Sequence, residues 1–280
     1  MTFVSDVEKL KDSKESICSL GRKGQCVSSK EINKEVESFE NKAEELQCSG
    51  DINKKTLCVL KKLNKENIII KYFKSPTKSF SHSHWLNNTE IDTVQYQFMH
   101  NYKGYYYSDI HMIDFGMFSP SNRYYMEYDT IPIKNIDFVS ELNNKGVLTH
   151  NGPLKNYGMV VNTDTSKGGG IHWFSIFIDF EATPITIEYF NSSGYDIKNK
   201  EFKKFFVDLA DTISLKKREC KFVKVSDIQH QNSNTSNCGV YALYYIWKRL
   251  GGESIEFFKK NKINDDHIVL FRKYFFTSKS

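Results

Sequence analysis

The chain lacks several features that would assign it to whole classes of protein. No apolar run approaches the roughly 18 residues that a membrane-spanning helix needs, so we exclude a transmembrane protein. The first ten residues have neither the basic start nor the apolar centre of a secretory signal peptide. No internal repeat is visible. We therefore expect a globular protein in a reducing, cytoplasmic compartment.

Cysteine is also sparse. The chain has six cysteines among 280 residues, and no two of them form a Cys-x-x-Cys pair. This number is too small and too scattered for a disulfide scaffold, and it gives little support to a structural zinc site. His82 and His84 could contribute to a metal site only if further ligands lay nearby, and none is evident in the sequence. We therefore expect no disulfide framework, no metal and no cofactor.

Positive charge is concentrated near the N-terminus. Residues 54–78 contain eight lysines and one glutamate, which is a local charge of +7 in a chain whose net charge is +5. A capping box at Ser28–Glu31 predicts one helix that continues to Leu46, and a second helix is predicted from Lys54 to Leu63. We predict that residues 1–80 form a small, lysine-rich helical arm. Its lysines are either a solvated helix face or a docking site, Lys54–Lys78, for an acidic partner or nucleic acid.

From Trp85 onward the pattern is that of a mixed α+β domain, predicted to cover residues 81–280. A helix is predicted to follow an N-cap at Asn87 or Asn88. Aromatic and β-branched runs predict strands at residues 172–180, 185–190 and 221–225. Further helices are predicted near residues 134–144, over 202–213, from Cys238 to the glycine pair at 251–252, and from about residue 265.

The segment from Gln231 to Trp247 contains the most informative cysteine. A polar loop leads into Cys238, which begins an apolar run with helical character. At the first turn of a helix, unpaired backbone N–H groups and the positive end of the dipole favour a thiolate. A lone cysteine is nevertheless more often a buried structural residue. The segment alone leaves both interpretations open.

A thiol protease needs a nucleophile, a base, a group that orients the base, and oxyanion donors. Besides Cys238, the sequence offers His172 at the start of a strand, Asn191 at the end of the next strand, and Gln231 in the loop before the cysteine. Each is weak evidence by itself, since an asparagine at a strand end is usually a turn residue. Their order is informative, because the papain-type and caspase signatures are both absent.

These motifs resemble the Ulp1/adenain clan of cysteine proteases. The similarity is carried by His172-Trp173, by Glu188-Tyr-Phe-Asn191-Ser-Ser-Gly194, and by Gln231 with Asn237-Cys238-Gly-Val-Tyr. The segment Trp85-Leu-Asn-Asn-Thr is similar to the stretch that opens the catalytic core of the SUMO-deconjugating members. The resemblance implies a papain-like or adenain-like α+β core, a central mixed sheet flanked by helices, preceded by the small helical arm.

The resemblance also implies roles for individual residues. Cys238 would be the nucleophile, His172 the base, and Asn191 the residue that orients the base. Gln231 would donate to the oxyanion. Trp173 and Trp85 would flank a narrow channel for a Gly-Gly substrate tail, although plain core packing also accounts for large aromatic side chains.

The resemblance is greatest to viral, polyprotein-processing members of the clan. It implies a viral endopeptidase that cleaves structural polyproteins after Gly-Gly-type sites during virion maturation, in the host cytoplasm or virus factory and in the virion. A deconjugating protease for SUMO or another ubiquitin-like modifier is the alternative. A clan-related acyltransferase and a non-catalytic capsid or nucleic-acid binding module are further alternatives.

Overall fold

The protein divides into two compact units. A computed structural model describes residues 17–19, 24–115, 153–216 and 218–278. One unit comprises Met1–Ser81 together with Val269–Ser280, and the other comprises His82–Ile268. The boundary predicted at residue 80 stays a prediction, and the grouping of residues 269–280 with the N-terminal unit was not foreseen.

The first unit is mainly helical. Its elements are α1 (Ser29–Glu35), α2 (Phe39–Glu45), α3 (Ile52–Lys62), α4 (Glu66–Tyr72), β1 (Ser75–Thr77) and, from the C-terminal end of the chain, β7 (Phe276–Ser278). Strands β1 and β7 pair in parallel. Apolar side chains of the first three helices, including Ile32, Phe39, Val59 and Leu60, form a buried cluster. Helices as short as these depend on such a cluster, because an isolated short helix is only marginally stable in water.

The single helix predicted from Ser28–Glu31 to Leu46 is wrong. The predicted N-cap is present, since the Ser28 hydroxyl accepts a hydrogen bond from the Glu31 N–H. The chain leaves the helix after Glu35, however, and Ser38 adopts a left-handed conformation with φ of 51° before α2 begins. The apolar spacing continues across this break, which is why periodicity alone did not reveal it.

The expectation that there is no disulfide framework is also wrong. Cys18 pairs with Cys26, and Cys48 pairs with Cys58, so four of the six cysteines are oxidised. The pairs are separated by only 8 and 10 residues, and their Cα atoms lie 5.0 and 5.7 Å apart. Sequence spacing does not predict which cysteines meet, because the pairing depends on how the short segments between them fold.

The second unit contains a five-stranded mixed sheet. Its elements are α5 (Asn88–Asn101), β2 (Tyr105–Met112), β3 (Asn156–Asn162), β4 (Trp173–Asp179), β5 (Ile185–Phe190), α6 (Lys200–Lys216), β6 (Cys220–Lys224), α7 (Cys238–Leu250), α8 (Ile255–Lys260) and α9 (Asp265–Phe275), the last of which continues into the first unit. The strand order is β2-β3-β4-β5-β6. The two outer pairs are parallel and the two inner pairs are antiparallel.

Helices cover both faces of this sheet. Alternate side chains of a strand point to opposite faces, and in β4 Phe174 packs in the cluster that includes Phe202 and Phe206 of α6. On the other face Phe177 lies beneath the guanidinium of Arg249 in α7. The expected fold, a central mixed sheet flanked by helices, is confirmed. No helix in the described ranges is long and apolar enough to cross a membrane.

Most elements of this unit match their predictions. Asn87 is the N-cap of α5 and forms a full capping box with Glu90. The strands β4, β5 and β6 and the helices α6, α7 and α9 lie within a few residues of their predicted positions. The short helix α8 was not predicted. The helix predicted near residues 134–144 lies outside the described residues.

Candidate active site

His172 is held at the start of β4 by its own loop. The Asn162 Oδ1 atom, at the end of β3, accepts hydrogen bonds from the N–H groups of Asp164 at 3.0 Å and Ile171 at 2.9 Å. The Thr163 N–H donates to the His172 carbonyl at 2.8 Å. The connection between β3 and β4 is therefore pinned at both ends, and the backbone of His172 is fixed beside the strand.

Asn191 is hydrogen-bonded to the imidazole of His172. The Nε2–H of His172 donates to Asn191 Oδ1 at 2.8 Å. That oxygen also accepts from the Ser193 N–H at 2.9 Å, and Asn191 Nδ2 donates to the Tyr189 hydroxyl at 2.8 Å. The Tyr189 O–H in turn donates to the Tyr195 carbonyl at 3.1 Å. These bonds fix the amide so that its oxygen faces the imidazole, which leaves Nδ1 of His172 as the basic nitrogen.

The electrostatics of the pair favour a neutral base. Burial lowers the pKa of His172, and the hydrogen bond that His172 donates to Asn191 raises it by a smaller amount. Because Asn191 carries no charge, the imidazolium gains no ion-pair stabilisation from it. Burial raises the pKa of Tyr189 to about 12, so its hydroxyl is a protonated phenol at neutral pH.

Cys238 begins α7, as predicted. It is buried and lies outside both disulfides. The first turn of α7 contains no acidic residue, and the N-cap Asn237 does not cap the helix with its side chain. A Cβ on the next residue, Gly239, would come within 3.3 Å of the Trp173 ring and of Leu86. The start of α7 therefore packs directly against the residue that follows His172.

Gln231 is hydrogen-bonded to Ser192, the residue that follows Asn191 after the end of β5. Its Oε1 atom accepts from the Ser192 hydroxyl at 2.8 Å, and the backbone N–H of Gln231 donates to the Ser192 carbonyl at 3.0 Å. Its Nε2 atom donates one hydrogen to the Thr235 carbonyl at 2.7 Å. This bond to Thr235 also determines the direction of the second Nε2 hydrogen.

The two tryptophans occupy different environments. Trp173 is 4% exposed, and its Nε1–H donates to the Leu86 carbonyl at 3.1 Å. Trp85, immediately before Leu86, is 39% exposed. One indole is thus packed against α7 and the other faces solvent. Their roles in a substrate channel stay predictions.

Known proteins resemble the chain in both sequence and fold. The sequence profile of the Ulp1 protease family, C-terminal catalytic domain, matches residues 159–280. This span holds His172, Asn191, Gln231 and Cys238. Residues 159–280 belong to the Ulp1 family of cysteine proteases.

The relatives of this Ulp1-type protease include viral enzymes. A protein named SUMO-1 cysteine protease, from African swine fever virus, is 28% identical over 271 residues, covering 91% of this chain and 92% of its own. A protein named cysteine protease, from another strain of that virus, is 28% identical over 92% of this chain and 93% of its own. The crystal structure of the African swine fever virus protease superposes with a TM-score of 0.67 and 26% identity, covering 98% of this chain and 99% of that one. The chain is a cysteine protease, and the expected family is confirmed.

The two histidines considered as metal ligands have other contacts in the protease. The His82 Nε2 atom lies 3.5 Å from Asp266 Oδ1, and the His84 Nε2 atom lies 3.2 Å from Glu90 Oε1. Within the ranges that the structure describes, no three His, Cys, Asp or Glu side chains are grouped as metal ligands.

Several supporting residues of the protease were missed from sequence. Tyr189 fixes the Asn191 amide, Ser192 fixes Gln231, and Asn162 fixes the loop before His172. The first could have been found, because residues two apart in a strand share a face. The Ser192–Gln231 contact spans 39 residues of sequence and has no local signal.

Proposed function

We propose that the chain is a viral cysteine endopeptidase in which Cys238 attacks the scissile carbonyl and His172 acts as the base. The observation that carries this assignment is the His172–Asn191 hydrogen bond, with the amide locked by Ser193 and Tyr189. Such a lock serves little purpose for a turn asparagine, but it holds an imidazole in the tautomer that a thiol nucleophile needs.

The proposed roles give the following sequence of steps. His172 Nδ1 takes the proton of the Cys238 thiol, and the resulting thiolate adds to the carbonyl carbon. The oxyanion is stabilised by the Cys238 backbone N–H and the second Nε2 hydrogen of Gln231. Protonated His172 then gives its proton to the leaving amine, and the thioester remains. A water molecule, deprotonated by His172, hydrolyses the thioester and regenerates the thiol.

The proposed substrate is a structural polyprotein with a Gly-Gly-type cleavage site, processed during virion maturation. The relatives from African swine fever virus support a viral setting, and the proposed site of action is the host cytoplasm or virus factory and the virion. The buried Trp173, whose indole N–H donates to the Leu86 carbonyl, and the exposed Trp85, which precedes Leu86 in the sequence, support a narrow entrance. Glycine suits such an entrance, because only it lets an extended backbone pass closely between two indoles.

The assignment is tested with the full chain and a fluorogenic peptide that has Gly-Gly before the scissile bond. We expect turnover by the wild-type protein and none by Cys238→Ala. Alkylation by iodoacetamide should abolish turnover in parallel with modification of Cys238. Turnover by Cys238→Ala would overturn the assignment of the nucleophile.

A deconjugating protease remains the main alternative. Two observations favour it as the second candidate: the family is named for Ulp1, and one relative is named a SUMO-1 cysteine protease. It shares the chemistry but requires a folded modifier as partner. A ubiquitin-like or SUMO probe with a C-terminal electrophile distinguishes them, because an enzyme selective for a polyprotein segment leaves such a probe unmodified. Transfer of an acetyl group from acetyl-CoA would instead indicate the clan-related acyltransferase. A protein with neither protease nor acetyltransferase activity would be the non-catalytic binding module.

A docking site for an acidic partner or nucleic acid at Lys54–Lys78 is a separate proposal. Ion pairs within the first unit reduce the number of lysines that are available for such a partner. Lys55 pairs with Glu40 at 3.0 Å, Lys65 with Glu35 at 3.3 Å, and further pairs involve Lys54 and Lys71. Acidic side chains within the unit thus neutralise part of the local charge. The exposed lysines in the last turn of α3, at positions 61 and 62, are the basic groups on which the docking site would rest.

A further inference from the structure

The loop that connects Gln231 to Cys238 is organised by a buried carboxylate. Asp265, the first residue of α9, is 3% exposed. Its Oδ2 atom accepts from the Asn232 N–H at 2.8 Å. Its Oδ1 atom accepts from the Thr235 hydroxyl at 2.8 Å and from Asn237 Nδ2 at 2.7 Å. Hydrogen bonds to an ionised acceptor are roughly twice as strong as neutral ones, so this one side chain holds the loop at three points.

Two of these three points, Thr235 and Asn237, lead to the two proposed oxyanion donors. Thr235, whose hydroxyl is bound by Asp265, presents its carbonyl to Nε2 of Gln231 at 2.7 Å. Asn237, whose amide is bound by Asp265, immediately precedes Cys238 and makes no side-chain cap on α7. An N-cap asparagine ordinarily accepts from the first-turn N–H groups. Here its side chain is directed to Asp265 instead, so it does not cover the N–H groups that face the oxyanion.

At the N-terminus of α9, Asn264 caps the helix, so the side chain of Asp265 is available to bind the loop. The Asn264 side chain accepts from the His267 N–H at 2.9 Å and so supplies the cap of the helix. The neighbouring Asp266 has the same charge and chemistry, but its side chain is 94% exposed. Burying a carboxylate is costly unless its oxygens are well supplied with donors. That Asp265 alone is buried therefore indicates a role in the loop.

We propose that Asp265 is a positioning residue of the protease, which aims Gln231 through Thr235 and the Cys238 N–H through Asn237. It touches neither substrate nor the reacting sulfur. Its effect is on the transition state, because oxyanion donors act only as the negative charge develops on the carbonyl oxygen. This inference rests on the proposed function, since it concerns the same site.

The first test compares Asp265→Asn with the matched control Asp266→Asn, using the fluorogenic Gly-Gly peptide and the full chain. Loss of one oxyanion donor lowers kcat by roughly 10²- to 10³-fold, and a small misplacement lowers it by up to about 10²-fold. We expect Asp265→Asn to lower kcat by about 10²-fold with little change in KM, and Asp266→Asn to change neither. The rate of Cys238 alkylation by iodoacetamide, which needs no oxyanion donor, should stay within about twofold of wild type for both. Equal kcat values for the two variants would overturn the proposal.

The second test separates positioning from a purely structural role. If Asp265 acts partly through Gln231, then Asp265→Asn in a Gln231→Ala background should lower kcat far less than it does in the wild type, because residues that act as a unit are non-additive. Losses that simply multiply would contradict the inference. Thr235→Val removes one donor from a half-buried side chain and serves if Asp265→Asn does not fold. It should lower kcat several-fold in the wild type and almost not at all beside Gln231→Ala.

The outcomes also separate this inference from the proposed function. An active wild type, an inactive Cys238→Ala and an unaffected Asp265→Asn would leave the protease assignment standing and remove the role of Asp265. A wild type that turns over no Gly-Gly peptide, and whose activity on other probes is insensitive to Cys238 alkylation, would refute the proposed function itself.

Discussion

Replacing Asn191 by aspartate would place a charge against His172 without changing the shape of the site. The His172 Nε2 atom and the Asn191 oxygen are 2.8 Å apart, so the centres of charge of an imidazolium and a carboxylate would be about 4 Å apart. At an effective dielectric constant of about 20, this separation gives a gross attraction of about 4 kcal/mol. Residue 191 is 7% exposed, so desolvation of the new carboxylate offsets part of that gain.

The net effect should be a raised pKa of His172. In the wild type, burial lowers this pKa below its ordinary value. In Asn191→Asp we expect the attraction to exceed the added desolvation and to raise the pKa by more than about one unit, equivalent to about 1.4 kcal/mol. An Asn191→Leu variant provides the opposite control. It removes the hydrogen bond that raises the pKa, so its His172 should titrate below that of the wild type.

The measurement is an NMR titration of labelled histidine in a Cys238→Ala background, where no thiolate perturbs the imidazole. The His172 signal is assigned by its disappearance in a His172→Gln variant. We expect the pKa values to rise in the order Leu, Asn, Asp at position 191. Identical values in the Asn and Asp proteins would refute the reasoning, because they would mean that residue 191 does not contact the imidazole in solution.

Two further predictions concern stability and binding. Burial lowers the pKa of His111 and of His230 from 6.5 to about 4, so the stability that their neutral forms contribute is complete above pH 6.5 and is lost as the pH falls towards 4. At pH 5 the loss is about 2 kcal/mol per histidine. His230→Asn should therefore reduce the loss of stability between pH 7 and pH 5, followed by thermal unfolding, by about 2 kcal/mol. An unchanged dependence would count against it. In the arm, the double change Lys61→Ala and Lys62→Ala should weaken binding of an anionic polymer such as heparin and reduce its salt dependence, whereas binding that ignores both salt and these lysines would argue against a docking site.

Local patterns predicted the fold elements well where periodicity and packing coincide. A run of aromatic and β-branched residues predicted the position of β4. Alternate side chains of a strand point to opposite faces of a sheet, so Phe174 lies on one face and Phe177 on the other. The prediction of a single helix across α1 and α2 failed, because the left-handed Ser38 ends the helix without interrupting the apolar spacing. The prediction that there are no disulfides failed for a related reason. The pairing of Cys48 with Cys58 depends on where a helix begins, and sequence alone gives that position only approximately.

The catalytic residues of the candidate site could be predicted from the sequence, but the residues that hold them in place could not. His172 and Asn191 occupy adjacent strand ends, and the antiparallel pairing of β4 with β5 brings such ends together. The hydrogen bond between them was therefore expected. Gln231 was expected as an oxyanion donor, yet its contacts with Ser192 and Thr235 determine which of its hydrogens is available. Those contacts join segments whose separation no local pattern specifies.

Asp265 and Asp266 show where sequence reasoning reaches its limit. The sequence predicted only a helix that begins near these two residues, and acidic side chains in the first turn of a helix interact favourably with its dipole. Successive residues of a helix point about 100° apart, so at most one of the two could face the Gln231–Asn237 loop, and sequence alone gives no basis for choosing between them. The structure assigns Asp265 to that loop, because three donors from it converge on one carboxylate while Asp266 faces solvent. What distinguishes the two aspartates is therefore the position of a loop about 30 residues earlier, and the comparison of their asparagine variants isolates that difference.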